Sequence, residues 1–260
     1  MQRVFITGAS SGIGAALARR YAEQGACLGL VARRADALRQ LAAGLPNPQR
    51  HRCYPLDVTD HAALAAAAAD FIAATGGADV VVANAGISAG TLTEYAEDLA
   101  VFERILATNL CATVATFAPF IASMKRQAGE GGVCRLVGIA SVAGIRGIPG
   151  AGAYSASKAA VISYCESLRV ELRDSGIRVV TIAPGYIDTP MTRINPYRMP
   201  FLLTAEKFAA QAQRAIDAGA SYRVIPWQMG MVAKLLRLLP NAVFDALSAK
   251  AGRKPRSLPD

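Results

Sequence analysis

The sequence predicts an α/β fold: a doubly wound, mostly parallel sheet between helices, followed by a helical extension at the carboxyl end. Three observations carry that expectation. Short β-rich runs alternate with longer helical patterns from residue 3 to residue 226, the order that parallel crossover units require. Val80–Ala83 is apolar at every position, as a strand covered on both faces must be. The first strand also leads through a glycine-rich turn directly into a helix, an arrangement that aims free N–H groups at an anion. With 260 residues, 53% of them apolar, the chain can bury one large core, and no linker interrupts it. Residues 1–228 are therefore read as one domain, with residues 229–260 as its extension.

Each element has its own reason. Arg3–Thr7 is a β-rich run, and Gly8-Ala9-Ser10-Ser11-Gly12-Ile13-Gly14 opens a helix that continues to about residue 24. Glycines there let the backbone approach a pyrophosphate, whose charge meets the positive end of the helix. The same residues spell Gly8-x-Ser10-x-Gly12, the nucleophile elbow of serine hydrolases. Order speaks against that alternative: an elbow serine follows several strands and precedes its histidine by a long stretch, whereas here only a few residues precede Ser10 and both histidines come early.

The second strand, Cys27–Ala32, ends at Arg33 and Arg34, where a dinucleotide fold reads the adenosine ribose. Two arginines without a carboxylate favour the 2′-phosphate of NADP(H), with Arg33 as phosphate ligand and Arg34 stacking on adenine. A helix over 36–43, a brief strand over 52–55, Asp57-Val58 and an alanine-rich helix over His61–Thr75 follow. After Val80–Ala83 comes Asn84-Ala85-Gly86. Residues 98–126 read as a long helix containing Asn109, kinked or divided by Pro119. Residues 133–140 form the next strand, with Ser141 at its carboxyl end, the edge at which open α/β sheets hold ligands.

Tyr154 and Lys158 stand four apart on the next predicted helix, residues 154–174, so a phenol and an ammonium share one face. One positive charge at ~5 Å, with an effective dielectric of ~20, would lower a phenol normally near ~10 by about two pH units, and a second cation would add to that. A strand over 178–183 leads to Pro184-Gly185-Tyr186-Ile187-Asp188-Thr189. The proline-marked, partly apolar stretch 190–204 is expected to form a substrate lid. A helix over 205–218 and a strand over 222–226 complete the sheet.

Composition narrows the function classes. Two histidines and five scattered cysteines without a C-x-x-C pair supply no ligand set for zinc, so no metal is expected and the thiols are read as buried and free. The net charge of +9 is spread along the chain, with no basic block before residues 250–256, which argues against nucleic acid and for an anionic cofactor or substrate. No uninterrupted apolar run of ~18 residues and no leader pattern is visible, so a cytoplasmic location is expected.

Five separated motifs together resemble the short-chain dehydrogenase/reductase family in its compact, Rossmann-like form, over about residues 3–226: Thr7-Gly8-x-x-x-Gly12-x-Gly14, Asn84-Ala85-Gly86, Asn109, Ser141 with Tyr154-x-x-x-Lys158, and Pro184-Gly185-x-x-x-Thr189. Ala83 departs from the pattern, where many members carry a further asparagine. The resemblance implies that Tyr154 is the acid/base of carbonyl–alcohol interconversion, that Ser141 hydrogen-bonds the substrate oxygen, and that Lys158 holds the nicotinamide ribose and depresses the tyrosine pKa. It further implies that Asn109 positions a water of a proton relay. Gly8, Ser10, Ser11, Gly12, Ile13 and Gly14 would cradle the pyrophosphate, Asp57 and Val58 approach adenine, Asn84, Ala85 and Gly86 line the cofactor, and Pro184, Gly185, Ile187 and Thr189 hold the nicotinamide end. Assembly as a homodimer or homotetramer through the helices of Asn109 and Tyr154 is implied as well. The substrate is expected to be a hydrophobic carbonyl or alcohol; the alternative in another class is an NADPH-binding regulator without turnover.

The extension reads as two helices, over 229–239 and 242–250, ending in a basic segment. It is expected to cover the substrate pocket or a subunit interface, with contact to an anionic membrane as the alternative.

Overall fold

The structure, a computed structural model, describes residues 1–249, 252 and 254–256. Its elements in chain order are β1 (Arg3–Thr7), α1 (Gly12–Glu23), β2 (Cys27–Ala32), α2 (Ala35–Ala43), β3 (His51–Pro55), α3 (His61–Thr75), β4 (Val80–Ala83), α4 (Asp98–Leu106), α5 (Ala112–Gly129), β5 (Cys134–Ile139), α6 (Gly152–Glu171), β6 (Ile177–Pro184), β7 (Ile187–Asp188), α7 (Pro190–Arg193), β8 (Leu203–Thr204), α8 (Ala205–Asp217), β9 (Tyr222–Ile225), α9 (Trp227–Leu238) and α10 (Asn241–Ser248). Seven strands form one parallel sheet in the order β3-β2-β1-β4-β5-β6-β9.

That order decides where a ligand can sit. The chain leaves β1 outward to β2 and β3, then returns to lay β4 on the other side of β1. Helices leaving β1 and β4 therefore diverge to opposite faces and open a crevice at the carboxyl ends of these strands. Gly8 follows β1 and Asn84 follows β4, so topology alone makes these distant residues neighbours.

Alternation along β1 assigns the two cores. Val4 and Ile6 point to one face with Leu17, Tyr21, Phe208 and Ile216, while Phe5 points to the other with Phe71, Phe117, Phe120 and Met124. Phe5 lies 5.5 Å from Phe71 and 4.9 Å from Phe120, ring centroid to centroid. Gly29 of β2 makes this packing possible, because a Cβ there would stand 2.6 Å from the Phe5 ring and 2.8 Å from Phe71.

The long helical stretch is not divided at Pro119, which lies inside α5 without interrupting it. The break lies earlier, in a π-helical turn at Ala107–Cys111 that contains Asn109. By length and composition Asp98–Gly129 could cross a membrane. Its apolar side chains Phe117, Phe120 and Met124 are instead spent on the sheet. The five cysteines are free; Cys27, Cys134 and Cys165 are buried as expected, but Cys53 is half-buried and Cys111 exposed.

Candidate active site

The crevice begins with a turn built from glycines that cannot be replaced in place. Gly8 has φ +67°, and a Cβ on it would stand 2.8 Å from the Ala85 backbone. A Cβ on Gly14 would collide with the Gly8 carbonyl. Thr7, which the sequence reading left among motif residues without a role, ties the two strand ends together. Its hydroxyl accepts from the Asn84 and Ala85 N–H groups, both at 3.1 Å, and the Asn84 side chain donates to the Thr7 carbonyl at 2.9 Å. The helix α1 starts with Ser11 as its extended N-cap, and Ile13 packs on the core, so the free amide end of α1 faces the crevice. A backbone this close, bare of side chains and opening a helix, fits a pyrophosphate.

At the far end of the turn, Arg33 and Arg34 are exposed just after β2. Arg34 donates to the Ser10 hydroxyl at 3.2 Å. Among the described residues Ser10 has no imidazole partner, since His51 bonds the Pro46 carbonyl and His61 lies in an apolar depression between α5 and α6. Asp57 is exposed while its neighbour Val58 is buried. Burial raises the Asp57 carboxyl, but bonds from the Thr59 N–H and hydroxyl, with Arg33 nearby, outweigh it and hold the group below its usual range. Thr189 closes the other end, its methyl 3.1 Å from where a Gly12 Cβ would be. Pro184 is buried, Gly185 lies against Met229, and Ile187 pairs with Leu203 so that β7 and β8 latch both ends of the stretch between them. Met229 therefore sets α9 beside the same sheet edge.

Ser141, Tyr154 and Lys158 converge at the end of β5. Ser141 is the N-cap of a short 3-10 turn, its oxygen accepting from the Ala143 N–H at 3.2 Å, and the serine is also placed to bond the Tyr154 hydroxyl. Lys158 is 4% exposed and donates to the Ile139 carbonyl at 2.8 Å. Its Nζ is 5.9 Å from the Tyr154 ring centroid. Burial lowers the Lys158 pKa to about 8. Burial also raises the Tyr154 phenol, with the Ser141 hydrogen bond working the other way.

This corrects the expectation of a tyrosine depressed by its lysine. Desolvation penalises phenolate and ammonium alike, and a lysine drawn towards neutrality contributes little field. Tyr154 nonetheless keeps some surface open to the crevice.

Asn109 is fully buried, and the π turn aims its amide at the segment after β4. Oδ1 accepts from the Ile87 N–H at 2.8 Å, while Nδ2 donates to the Ile87 carbonyl at 3.0 Å and to the Ser157 hydroxyl at 2.9 Å. Ser157, which sequence reasoning missed, passes the connection on to the Tyr154 carbonyl at 2.7 Å. A Cβ on Gly86 would be 3.1 Å from Asn109 Oδ1 and 3.5 Å from Lys158 Nζ, so glycine is what lets these two groups approach.

The match to known proteins follows the geometry. A model of the short chain dehydrogenase family covers residues 2–197. The chain belongs to the short-chain dehydrogenase family. It is 36% identical over 251 residues to an uncharacterised oxidoreductase of Myxococcus xanthus, covering 94% of this chain and 95% of that one. A 2-dehydro-3-deoxy-L-rhamnonate dehydrogenase (NAD(+)) of Sphingomonas is 36% identical over 186 residues, 72% of each chain. Among solved structures, a 3-ketoacyl-(acyl-carrier-protein) reductase from Brucella melitensis complexed with NADH superposes with a TM-score of 0.77 at 26% identity, over 86% of this chain and 96% of that one. As a short-chain dehydrogenase this protein is an oxidoreductase, of a family that binds nicotinamide cofactors.

Proposed function

We propose that the protein interconverts a hydrophobic carbonyl and its secondary alcohol with NADP(H). The observation that carries the reading is Ser141 beside the Tyr154 hydroxyl, with Lys158 one helical turn on, at the mouth of the crevice. Bound nicotinamide supplies or takes the hydride. Tyr154 gives its proton to the substrate oxygen, and Ser141 hydrogen-bonds the same oxygen as negative charge builds on it. Burial keeps Tyr154 protonated at neutral pH, which suits the reducing direction. Arg33 and Arg34, with no acid at the end of β2, support NADP(H) over NAD(H).

The wall facing Tyr154 is aromatic. Tyr186 and Tyr197 stand edge-on 6.4 Å apart, and Tyr197 comes close enough to feel the Tyr154 phenol, its own pKa pushed up to about 12 by burial and both neighbours. That wall supports an apolar substrate. The experiment follows reduced-nicotinamide absorbance with NADPH and NADH over ketones and aldehydes from small to lipid-like, with Tyr154→Phe alongside. Consumption that favours NADPH and vanishes in Tyr154→Phe, with NADPH still bound, is the expected result. Binding without any turnover would replace this reading by that of an NADPH-binding regulator.

For partners we infer a homo-oligomer through α5 and α6. Their outer face carries a shallow depression of about 770 Å³ lined by Leu110, Val114, Ala115 and Tyr164. Light scattering of wild type and Val114→Glu tests it, the variant being expected to dissociate. Trp227, Met231, Leu235 and Leu238 form an exposed stripe on α9 with Lys234 and Arg237 alongside, which leaves contact with an anionic bilayer within the reading. Co-sedimentation with anionic vesicles decides it.

A further inference from the structure

Gly252, Lys254, Pro255 and Arg256 lie back over the site. Gly90 donates to the Pro255 carbonyl at 2.7 Å, and the place of a Gly90 side chain is taken by the Lys254 carbonyl. Arg256 grips Asp98 with two nitrogens, Nε to Oδ2 at 3.0 Å and Nη2 to Oδ1 at 2.9 Å. The same Nη2 reaches Glu97 at 3.0 Å, and the guanidinium lies 3.8 Å above the Tyr95 ring. On the other side Lys254 Nζ reaches the Met191 carbonyl at 3.4 Å, and Gly252 lies against Tyr197 so closely that a Cβ would be 2.8 Å from the Tyr197 Cβ. Gly252 and residues 254–256 therefore touch both banks of the crevice, the loop after β4 and the aromatic wall after β6.

The loop they hold is the one beside the proton donor. Asp98 is 6% exposed and accepts from the Leu92 N–H at 2.8 Å. Thr91 next to it donates to the Gly150 carbonyl at 3.0 Å and accepts from the Ala153 N–H at 3.3 Å, one residue before Tyr154. A guanidinium at residue 256 is thus connected to the start of the Tyr154 helix through two carboxylate bonds and a pinned loop. An arginine suits the task because its planar fork meets a carboxylate in two bonds at once.

We propose that Gly252 and residues 254–256 are the outer wall of the substrate cleft and that Arg256 is the positioning residue that holds it, so that this segment limits the size of carbonyl admitted to Tyr154. The proposal rests on the carbonyl reading for its substrate, but the strap itself can be tested without turnover. The variants are Arg256→Ala, Arg256→Lys and a chain ending at Ala249. Hydrogen exchange of peptides spanning 87–98 is measured together with kcat/KM for a small and a bulky ketone and KM for NADPH. Arg256→Ala and the shortened chain should speed exchange in 87–98 by about tenfold or more. They should also raise the bulky-to-small ratio of kcat/KM about tenfold while KM for NADPH stays within about twofold, with Arg256→Lys intermediate. Unchanged exchange overturns the strap, and an equal loss for both ketones reduces Arg256 to a merely structural residue and overturns the wall. A wild-type protein that turns over no ketone defeats the carbonyl reading, while the exchange arm still decides the strap.

Discussion

Lys158 sends its ammonium to the Ile139 carbonyl, 2.8 Å away, and not to the hydroxyl of Tyr154, whose ring centroid is 5.9 Å from Nζ. Two groups one helical turn apart thus share a face without sharing a hydrogen bond. Burial lowers Lys158 to about 8, so the unfolded chain binds this proton more tightly than the folded one. The stability that follows is fully present above the unfolded pKa and is lost as pH falls to about 8. Lys158→Met should therefore gain most over wild type at pH 7, by roughly 3 kcal/mol, and the gain should shrink steadily between about pH 8 and pH 10.5. Thermal unfolding across that range checks it; a gain constant with pH would refute a lysine whose pKa burial has lowered.

Asn109 holds three hydrogen bonds in a fully buried place. Asn109→Leu leaves the Ile87 N–H and carbonyl without partners, so it should destabilise the fold by about 3 kcal/mol and lower turnover through the displaced Gly86 segment. Urea unfolding and NADPH titration separate the two effects. An intact fold with weakened NADPH binding would mean that water replaces the amide.

Gly14→Ala has nowhere to put its methyl, because the obstacle is the Gly8 backbone and not a movable side chain. A loss of about 2 to 3 kcal/mol in stability and a sharp loss of dinucleotide affinity are expected. Gly129→Ala, where a Cβ meets nothing, is the matched control and should be neutral or slightly stabilising.

Arg33→Ala and Arg34→Ala should each lower the NADPH-to-NADH ratio of kcat/KM, and together by about tenfold or more, through KM for NADPH. Arg34 also bonds Ser10, so its loss should weaken NADH as well. Steady-state kinetics with both cofactors distinguishes the two arginines; equal losses for both cofactors at Arg33 would remove the case for a 2′-phosphate ligand there.

Most of the fold was legible before any coordinates, because its determinants are local. β1 and the turn from Gly8 to Gly14, the four-residue spacing of Tyr154 and Lys158, and the bare arginines after β2 are each a property of a few consecutive residues and of backbone periodicity. The crevice could be placed from those residues, since parallel strands with helical crossovers leave little choice of where their carboxyl ends meet. What sequence could not supply was anything set by partners far along the chain. The hydroxyl of Thr7 bridges to residues 77 and 78 positions away, and Arg256 meets Asp98 across 158. Nothing local marks either pair. The π turn at Asn109 likewise reflects an amide pulled towards Ile87, whereas Pro119, the local signal for a break, sits in an unbroken helix. The direction of the Tyr154 shift was the clearest case: spacing predicted a neighbouring cation, but only the tertiary structure could say how much water the pair had lost, and desolvation outweighs the Ser141 hydrogen bond.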